Sequence, residues 1–168
     1  MQALARLAEA KGVTLFATWH SRETAAVEKA REILSDTVIT SVKISWREDV
    51  RHWHPGQEWI WEPGGLGVFD PGINALSIVT EILPDPVHLR AAVLKTPANR
   101  QAPIAADLEF VHPNGAEVRA EFDWRQDGDQ IWNISIETDA GHLLLQNGGA
   151  DLQINGERIP APDGTDVT

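Results

Sequence analysis

The chain has 168 residues, with 14 Lys and Arg against 25 Asp and Glu, and a formal net charge of -11. A nucleic-acid partner is therefore not expected, because phosphate binding needs a basic face. The absence of cysteine excludes a disulfide framework, a thiolate metal site and a Cys nucleophile. No apolar run is long enough to span a membrane and no signal peptide is evident, so we expect no membrane partner and take the cytoplasm as the default location.

The beginning of the chain has the pattern of an α/β unit. Apolar residues from Ala3 onward predict a helix that ends at Gly12, and the β-prone run Val13–Thr18 predicts a strand. Ser21 is predicted to cap a second helix, whose apolar positions in Ala26–Leu34 lie on one face. A lone strand of a parallel sheet cannot bury both of its faces, so we expect either a partner that covers it or further sequence upstream.

The middle of the chain has a strand, a long loop and a helix. Val38–Trp46 predicts the strand, and Glu48–Gly65, rich in His, Trp, Pro and Gly, has no regular period. Long loops inside compact domains are usually functional. A glycine-rich segment then leads into a helix that begins near Asp70 and ends before Pro84.

From Val87 onward the pattern changes to the period of two that is typical of strands with one buried face. Four dipeptides favoured in hairpin turns separate strand-like runs, which predicts an antiparallel meander. They are Asn114-Gly115, Asp127-Gly128, Asn147-Gly148 and Asn155-Gly156. The sequence thus predicts an α+β fold: the end of an α/β unit, then an open-faced, mostly antiparallel sheet with a helix packed on one face.

Asp70 and Asn74 are the first candidate site residues. Four positions apart on a helix, their side chains lie on one face and could together bind a polyol. The alternative is that Asp70 caps the helix with Pro71 at its first position, a common pairing that needs no function. The glycines before this helix favour a site, because they let a ligand approach the backbone.

The long loop carries a second candidate group, Arg51-His52-Trp53-His54-Pro55, which follows Glu48 and offers two imidazoles, an acid and an indole. A sugar site is the favoured interpretation of this group, since aromatic rings pack on the C–H faces of sugars while acids and imidazoles bind hydroxyls. A metal site formed by His52, His54 and Glu48 is a weaker alternative, because short histidine tracts are weak signals. A surface loop pinned by Trp53 and Trp59 is the third interpretation.

Trp19, His20, Ser21 and Arg22 follow the predicted early strand. In open α/β sheets ligands bind at that edge. A lone His in a loop is nevertheless more often structural than functional.

These segments together resemble one family. The run Trp19-His20-Ser21-Arg22, then Glu48, Trp53-His54, and Gly64-Gly65 through Asp70-Pro71-Gly72-Ile73-Asn74, resembles NAD(P)-dependent sugar dehydrogenases of the Gfo/Idh/MocA family. The likeness is to the galactose and L-arabinose 1-dehydrogenase branch and extends to about residue 160. Most family members have His where this chain has Asn74, and Asn is typical of that branch.

The resemblance implies oxidation of an aldopyranose at its anomeric carbon to a lactone, with NAD or NADP as the cofactor. It implies that Asp70 is the acid/base group and that Asn74 orients the same hydroxyl. Glu48 and His54 are implied to bind ring hydroxyls, and Trp53 and Trp132 to form the walls of the sugar pocket. His20, Trp19 and Arg22 are implied to approach the cofactor, and no resident metal is expected. Residues 1–36 correspond to a remnant of the dinucleotide-binding Rossmann domain and residues 37–168 to a substrate-binding and dimerisation domain. A homo-oligomer is expected to form through the open sheet face.

Two motifs of the family are not found in this sequence. Members carry a Gly-x-Gly-x-x-Gly turn that binds the pyrophosphate and a Glu-Lys-Pro segment whose Lys helps catalysis. Without them the chain alone is expected to have little or no activity. Three hypotheses remain open: part of an active dehydrogenase, a sugar-binding regulatory module of the same fold, and a dimerisation module.

Overall fold

The computed structural model describes residues 2–16 and 19–160. It contains four α-helices, α1 (Gln2–Lys11), α2 (Ala25–Leu34), α3 (Val50–Trp53) and α4 (Phe69–Ile82), and three short 3₁₀ turns at His20–Glu23, Glu58–Trp61 and Asn147–Gly149. The strands are β1 (Ile39–Arg47), β2 (His88–Lys95), β3 (Ala105–Val111), β4 (Glu117–Asp123), β5 (Ile131–Thr138), β6 (Gly141–Gln146), β7 (Asp151–Ile154) and β8 (Glu157–Ile159). None of the helices in the described ranges is both long and apolar enough to cross a membrane.

All eight strands form one sheet in the order β2-β3-β4-β1-β5-β6-β7-β8. The β1–β4 pair is parallel, and every other neighbouring pair is antiparallel. The predicted α+β class, with a mostly antiparallel sheet, is confirmed.

The sheet has one covered and one open face, because side chains alternate along each strand. On β1, Val42, Ile44 and Trp46 are buried beneath the helices, whereas Lys43 between them is exposed on the open face. Helices α2 and α4 pack together on the covered face. They bury the apolar side chains Val27, Ala30, Leu34, Ile78, Val79 and Ile82. Each large aliphatic side chain buried in this way contributes about 1.5–3 kcal/mol.

The domain boundary at residue 36 stays a prediction. In the described residues α2, which precedes that boundary, shares one core with α4 and the sheet.

The predicted strand Val13–Thr18 is wrong in its described part. Helix α1 forms as expected and Gly12 follows it with a φ of +64°, but residues 13–16 are neither strand nor buried. The β-prone side chains Val13, Leu15 and Phe16 have no neighbouring strand to pair with in the described residues, and β propensity alone does not form a strand. The last two residues of the prediction, 17 and 18, lie outside the described residues.

The predicted cap of the second helix is also wrong. Helix α2 begins at Ala25 with Thr24 at its N-cap, and Ser21 lies in the preceding 3₁₀ turn. The Thr24 hydroxyl donates to the carbonyl of Gly149 at 2.6 Å instead of capping the helix.

Three of the four predicted turns join neighbouring antiparallel strands. Asn114-Gly115 joins β3 to β4, Asn147-Gly148 joins β6 to β7, and Asn155-Gly156 joins β7 to β8. Asp127-Gly128 does not form a hairpin, because β1 lies between β4 and β5. The prediction of a simple meander is therefore wrong at this point, since β1 comes from a distant part of the chain.

Candidate functional site

A cleft of about 420 Å³ opens on the covered face of the sheet, a volume within the usual range of small-molecule sites. Its lining comes from the 3₁₀ turn before α2, the ends of β1 and β5, the region of α3, the start of α4 and the β6–β7 turn. These lining residues are His20, Ser21, Thr24, Trp46, Glu48, Trp53, His54, Asp70, Pro71, Asn74, Trp132, Asn147, Gly148 and Ala150. The structure thus brings together seven of the nine predicted site residues.

Helix α3 positions two of these residues. Asp49 caps it by accepting the backbone N–H of Arg51 at 2.8 Å. The Arg51 guanidinium also donates to Asp49 and lowers the pKa of that carboxyl to about 2. One turn of helix follows, which places Trp53 at its end and His54 directly after it.

Glu48 forms the buried base of the cleft, with 2% of its surface exposed. Its Oε1 accepts the indole N–H of Trp124 at 3.1 Å and its Oε2 accepts that of Trp132 at 2.9 Å. Burial raises the pKa of the Glu48 carboxyl above its ordinary value, while hydrogen bonds from the two indoles and the neighbouring His54 oppose that shift.

His54 lies between two carboxyl groups. Its Nε2 is 3.3 Å from Oε1 of Glu48 and its Nδ1 is 3.9 Å from Oδ2 of Asp70. The imidazole packs against Trp124 at a ring-centroid distance of 5.0 Å, and Gln57 Oε1 is 3.4 Å from Nδ1. The His54 side chain is only 14% exposed, so it is held in place by these contacts.

Asp70 and Asn74 both point from α4 into the cleft, one turn apart. The capping alternative for Asp70 is wrong, because Val68 is the N-cap of α4 and Asp70 lies within its first turn. The Asp70 side chain is 30% exposed, whereas Asn74 Oδ1 accepts from the Ser21 hydroxyl at 3.4 Å. A carboxylate oxygen and an amide are therefore available to one ligand.

Aromatic rings form one wall of the cleft. Trp132 stacks on Trp46 with ring centroids 5.8 Å apart. Trp53 packs against Trp132 in a tilted arrangement, with ring centroids 4.9 Å apart. Trp53 is 40% exposed, so part of its ring remains open to a ligand.

The three residues predicted to approach the cofactor lie in different environments. His20 lines the cleft, whereas the adjacent Trp19 is 47% exposed and does not line it. Arg22 is ion-paired with Glu81 of α4. That ion pair ties the 3₁₀ turn to the helix that carries Asp70.

Several lining residues were not singled out from the sequence. Ser21 is predicted as a helix cap and as part of the segment Trp19-His20-Ser21-Arg22, but no site role is assigned to it. Asn147 and Gly148 are predicted only as a turn; both have positive φ (52° and 69°), and Gly148 faces the Trp46 and Trp132 rings. A positive φ at consecutive residues was foreseeable from the Asn-Gly pair. Its place beside the cleft was not, because the β6–β7 pairing brings it there. The metal alternative gains no support, since the described ranges hold no group of three His, Asp or Glu placed to bind a metal ion.

Comparison with known proteins identifies the class. No family model matches the chain. A galactose 1-dehydrogenase from Pseudomonas fluorescens is 53% identical over 133 residues, which cover 79% of this chain and 43% of that protein. The crystal structure of a D-galactose-1-dehydrogenase protein from Rhizobium etli is 58% identical and superposes with a TM-score of 0.87, covering 95% of this chain and 52% of that one. An inositol dehydrogenase homologue from Azotobacter vinelandii, solved with NAD⁺, shares the fold at a TM-score of 0.73 and 15% identity.

An eight-stranded sheet covered on one face by helices matches the C-terminal part of the fold of these oxidoreductases. The chain belongs to the Gfo/Idh/MocA family, and it is similar to galactose 1-dehydrogenases within it. It spans about half the length of the relatives that it matches.

Proposed function

We propose that this chain supplies the sugar-binding and acid/base part of an NAD(P)-dependent aldose 1-dehydrogenase that oxidises a pyranose, galactose or L-arabinose, at C1 to the lactone. The observation that carries the proposal is the pairing of Asp70 with Asn74 in a cleft walled by Trp53 and Trp132. The names of the two relatives above 50% identity support galactose as the first substrate to test. They also favour a dehydrogenase over the regulatory or dimerisation module.

Asp70 is proposed to remove the proton from the anomeric hydroxyl. Hydride leaves C1 with the electron pair of the C1–H bond, and it can do so only as the hydroxyl proton leaves, because the electron pair of the O–H bond then forms the C1=O bond of the lactone. The bound cofactor supplies the nicotinamide ring that accepts the hydride. Asp70 suits the proton-accepting role because its side chain is partly exposed in the cleft, within reach of a ligand hydroxyl. Asn74, one turn further, is proposed to hold the same oxygen by donating its amide N–H.

The aromatic wall is proposed to bind the apolar face of the sugar. Trp53 and Trp132 present indole surface beside the polar groups, and this pairing matches a pyranose, whose C–H groups and hydroxyls lie on different sides. His54 is proposed to line the sugar pocket beside Asp70, with its Nδ1 facing the cleft on the Asp70 side.

His20 and Trp19 are proposed to approach the nicotinamide ring. His20 lines the cleft, and Trp19 next to it presents an exposed indole face of the kind that attracts a flat cationic ring. Arg22 is proposed to act on the cofactor only indirectly, by fixing this turn through Glu81. The choice between NAD and NADP remains open, and a cytoplasmic location is part of the proposal.

A homo-oligomer through the open sheet face is also proposed. This face carries alternating charges, Lys43 and Arg119 beside Glu109 and Glu121, around a shallow depression of about 610 Å³. Charges of both signs on one face suit a self-complementary contact in a two-fold dimer. Sedimentation equilibrium of the chain and of Lys43→Glu tests this proposed oligomer. A wild-type chain that stays monomeric at all concentrations would contradict the proposal.

Calorimetric titration of the chain with D-galactose and L-arabinose tests the sugar site. We expect heat of binding with at least one of them, and about tenfold or greater weakening in Asn74→Ala, because the loss of one good hydrogen bond costs about 1.5 kcal/mol. Asn114→Ala, at the β3–β4 turn far from the cleft, would be a poor control because Asn114 donates to Ile39 O. Gln126→Ala, in the exposed β4–β5 connection, is the better control. Absence of heat with both sugars would contradict the proposal.

A further inference from the structure

Glu48 lies at the base of the cleft and is almost fully enclosed by its neighbours. Both of its carboxylate oxygens already accept an indole N–H, from Trp124 and Trp132, and only 2% of the residue is exposed. Trp124, behind it, is itself 1% exposed. A carboxylate held in this way has little freedom to turn towards a ligand. Its effect on a bound ligand must therefore act through the neighbour that it contacts on the cleft side.

That partner is His54. Its Nε2 lies 3.3 Å from Glu48 Oε1, and an ionised carboxylate can only accept hydrogen bonds. Of the two neutral forms of the imidazole, only the one with its proton on Nε2 can donate to Glu48 across this contact. A neutral imidazole then has an unprotonated Nδ1 with a free lone pair. This Nδ1 is the nitrogen that faces Asp70 Oδ2, at 3.9 Å.

Two side chains lie near Nδ1, those of Gln57 and Asp70. The nearest group to it is the side-chain amide of Gln57, whose oxygen lies at 3.4 Å. An amide can rotate by 180° and offer its NH₂ group instead, because the two orientations differ only in which atom is the donor. Gln57 can therefore donate to Nδ1 in the absence of a ligand.

We propose that Glu48 is a positioning residue that fixes His54 as the Nε2–H tautomer, so that Nδ1 is a hydrogen-bond acceptor above Asp70. This assignment replaces the direct binding of a ring hydroxyl by Glu48 that the resemblance implied. Its consequence for catalysis rests on the proposed function, whereas the tautomer does not.

The consequence concerns the proton that Asp70 takes from the sugar hydroxyl. Once Asp70 is protonated its carboxyl becomes an O–H donor, and the Nδ1 lone pair of His54 is placed to accept from it. The 3.9 Å separation has to shorten by about 1 Å for this hydrogen bond, as catalytic contacts commonly do when substrate binds. No covalent bond to His54 is made or broken, because the proton stays on Asp70. The opposite tautomer would instead give Asp70 a donor while it is ionised, which disfavours proton uptake.

Long-range ¹H–¹⁵N NMR of the histidine rings in the full chain tests the proposal without any sugar or cofactor. The signals of His54 are assigned by their loss in His54→Gln, and the chain has five other histidines as internal references. We expect a protonated Nε2 and an unprotonated Nδ1 at neutral pH. A protonated Nδ1, or an imidazolium protonated at both nitrogens, would overturn the proposal.

Glu48→Gln tests the cause of the tautomer. Its amide keeps the size of the carboxyl but can donate as well as accept, so we expect the fixed tautomer to give way to a mixture. Glu137→Gln is the matched control. Glu137 also lies beside an imidazole, that of His142, but on the open face, with 3.9 Å between its Oε1 and His142 Nε2. A wild-type tautomer in Glu48→Gln, with the indole N–H signals in place, would overturn the proposal. If that variant does not fold, the wild-type spectrum still decides.

The same samples separate this inference from the proposed function. Adding D-galactose to the wild-type chain should shift the indole N–H signal of Trp53 or Trp132. The absence of a shift, with the Nε2–H tautomer present, counts against the sugar site and leaves the positioning role of Glu48 standing.

Discussion

Gly72 lies directly against the ring of Phe122, and a Cβ added at Gly72 would come within 2.8 Å of two ring carbons. Phe122 is on β4 and Gly72 is in the first half of α4, between Asp70 and Asn74. The close approach of helix and sheet at this point therefore sets how deeply both candidate site residues enter the cleft. Phe69, at the start of the same helix, meets the Phe122 ring edge-on, with ring centroids 5.9 Å apart.

Gly72→Ala should destabilise the chain despite the better helix propensity of alanine. The gain in propensity is about 1 kcal/mol, whereas overpacking a filled core costs about 1–3 kcal/mol. We expect a net loss of about 1 kcal/mol in the free energy of unfolding, measured by urea denaturation, together with weaker sugar binding. Thr80→Ala, at an exposed position of α4, is the control and should change stability by less than about 0.5 kcal/mol. A Gly72→Ala chain as stable as the wild type would contradict this account of helix placement.

Asp70→Asn should abolish most turnover while leaving the sugar in place. The assay uses a hybrid enzyme in which this chain replaces the corresponding part of the Rhizobium etli relative, to which it is 58% identical. Asparagine keeps the shape of aspartate but cannot take a proton, so we expect kcat to fall by about 10²–10⁴ with a smaller change in KM. Asp85→Asn, an exposed carboxyl just after α4, is the matched control. Near-normal cofactor reduction by Asp70→Asn would remove Asp70 from the mechanism.

The sequence predicted the parts of the site that depend on local spacing. Two residues four apart on a helix share a face whatever the rest of the chain does, and Asp70 and Asn74 follow that rule. The class of the fold was predictable for the same reason, since the period-two alternation of β4 is a local pattern. The prediction that the cleft residues share one site came from the family resemblance, because no local pattern relates Glu48 to Trp132.

The failed predictions depend on contacts between distant segments. Residues 13–16 have strand propensity but no strand beside them in the described part of the chain, and Ser21 is drawn into a hydrogen bond with Asn74 instead of capping α2. The Asp127-Gly128 turn does not form a hairpin because β1 occupies the position between its two strands. In each case the deciding neighbour is far away in the sequence. The same is true of the enclosure of Glu48 by two indoles, which no motif indicates.

The buried carboxyl of Glu48 should give the chain a characteristic dependence of stability on pH. Its pKa is raised in the fold from an ordinary value of 4.5. A carboxyl of this kind contributes stability in full below its unfolded pKa, and the contribution is lost as pH rises through the folded pKa. We therefore expect the stability of the wild type relative to Glu48→Gln to decrease as pH rises from about 4.

Urea denaturation of both proteins across this pH range measures that difference directly. If the difference in free energy of unfolding stays constant, or grows with pH, burial does not dominate the pKa of the Glu48 carboxyl.

Trp132→Phe separates the two roles of the Trp132 side chain. Phenylalanine keeps an aromatic ring against Trp46 and Trp53 but removes the indole N–H that Glu48 Oε2 accepts at 2.9 Å. Because the Glu48 acceptor is buried, the loss of this donor should lower the free energy of unfolding by about 1–3 kcal/mol. Sugar binding should weaken less than it does in Trp132→Ala, which removes the ring as well. Trp59→Phe, at a side chain that is 54% exposed, is the control and should leave both measurements unchanged. Equal stability of Trp132→Phe and the wild type would mean that Glu48 does not depend on this donor, and the indole would then act through its ring alone.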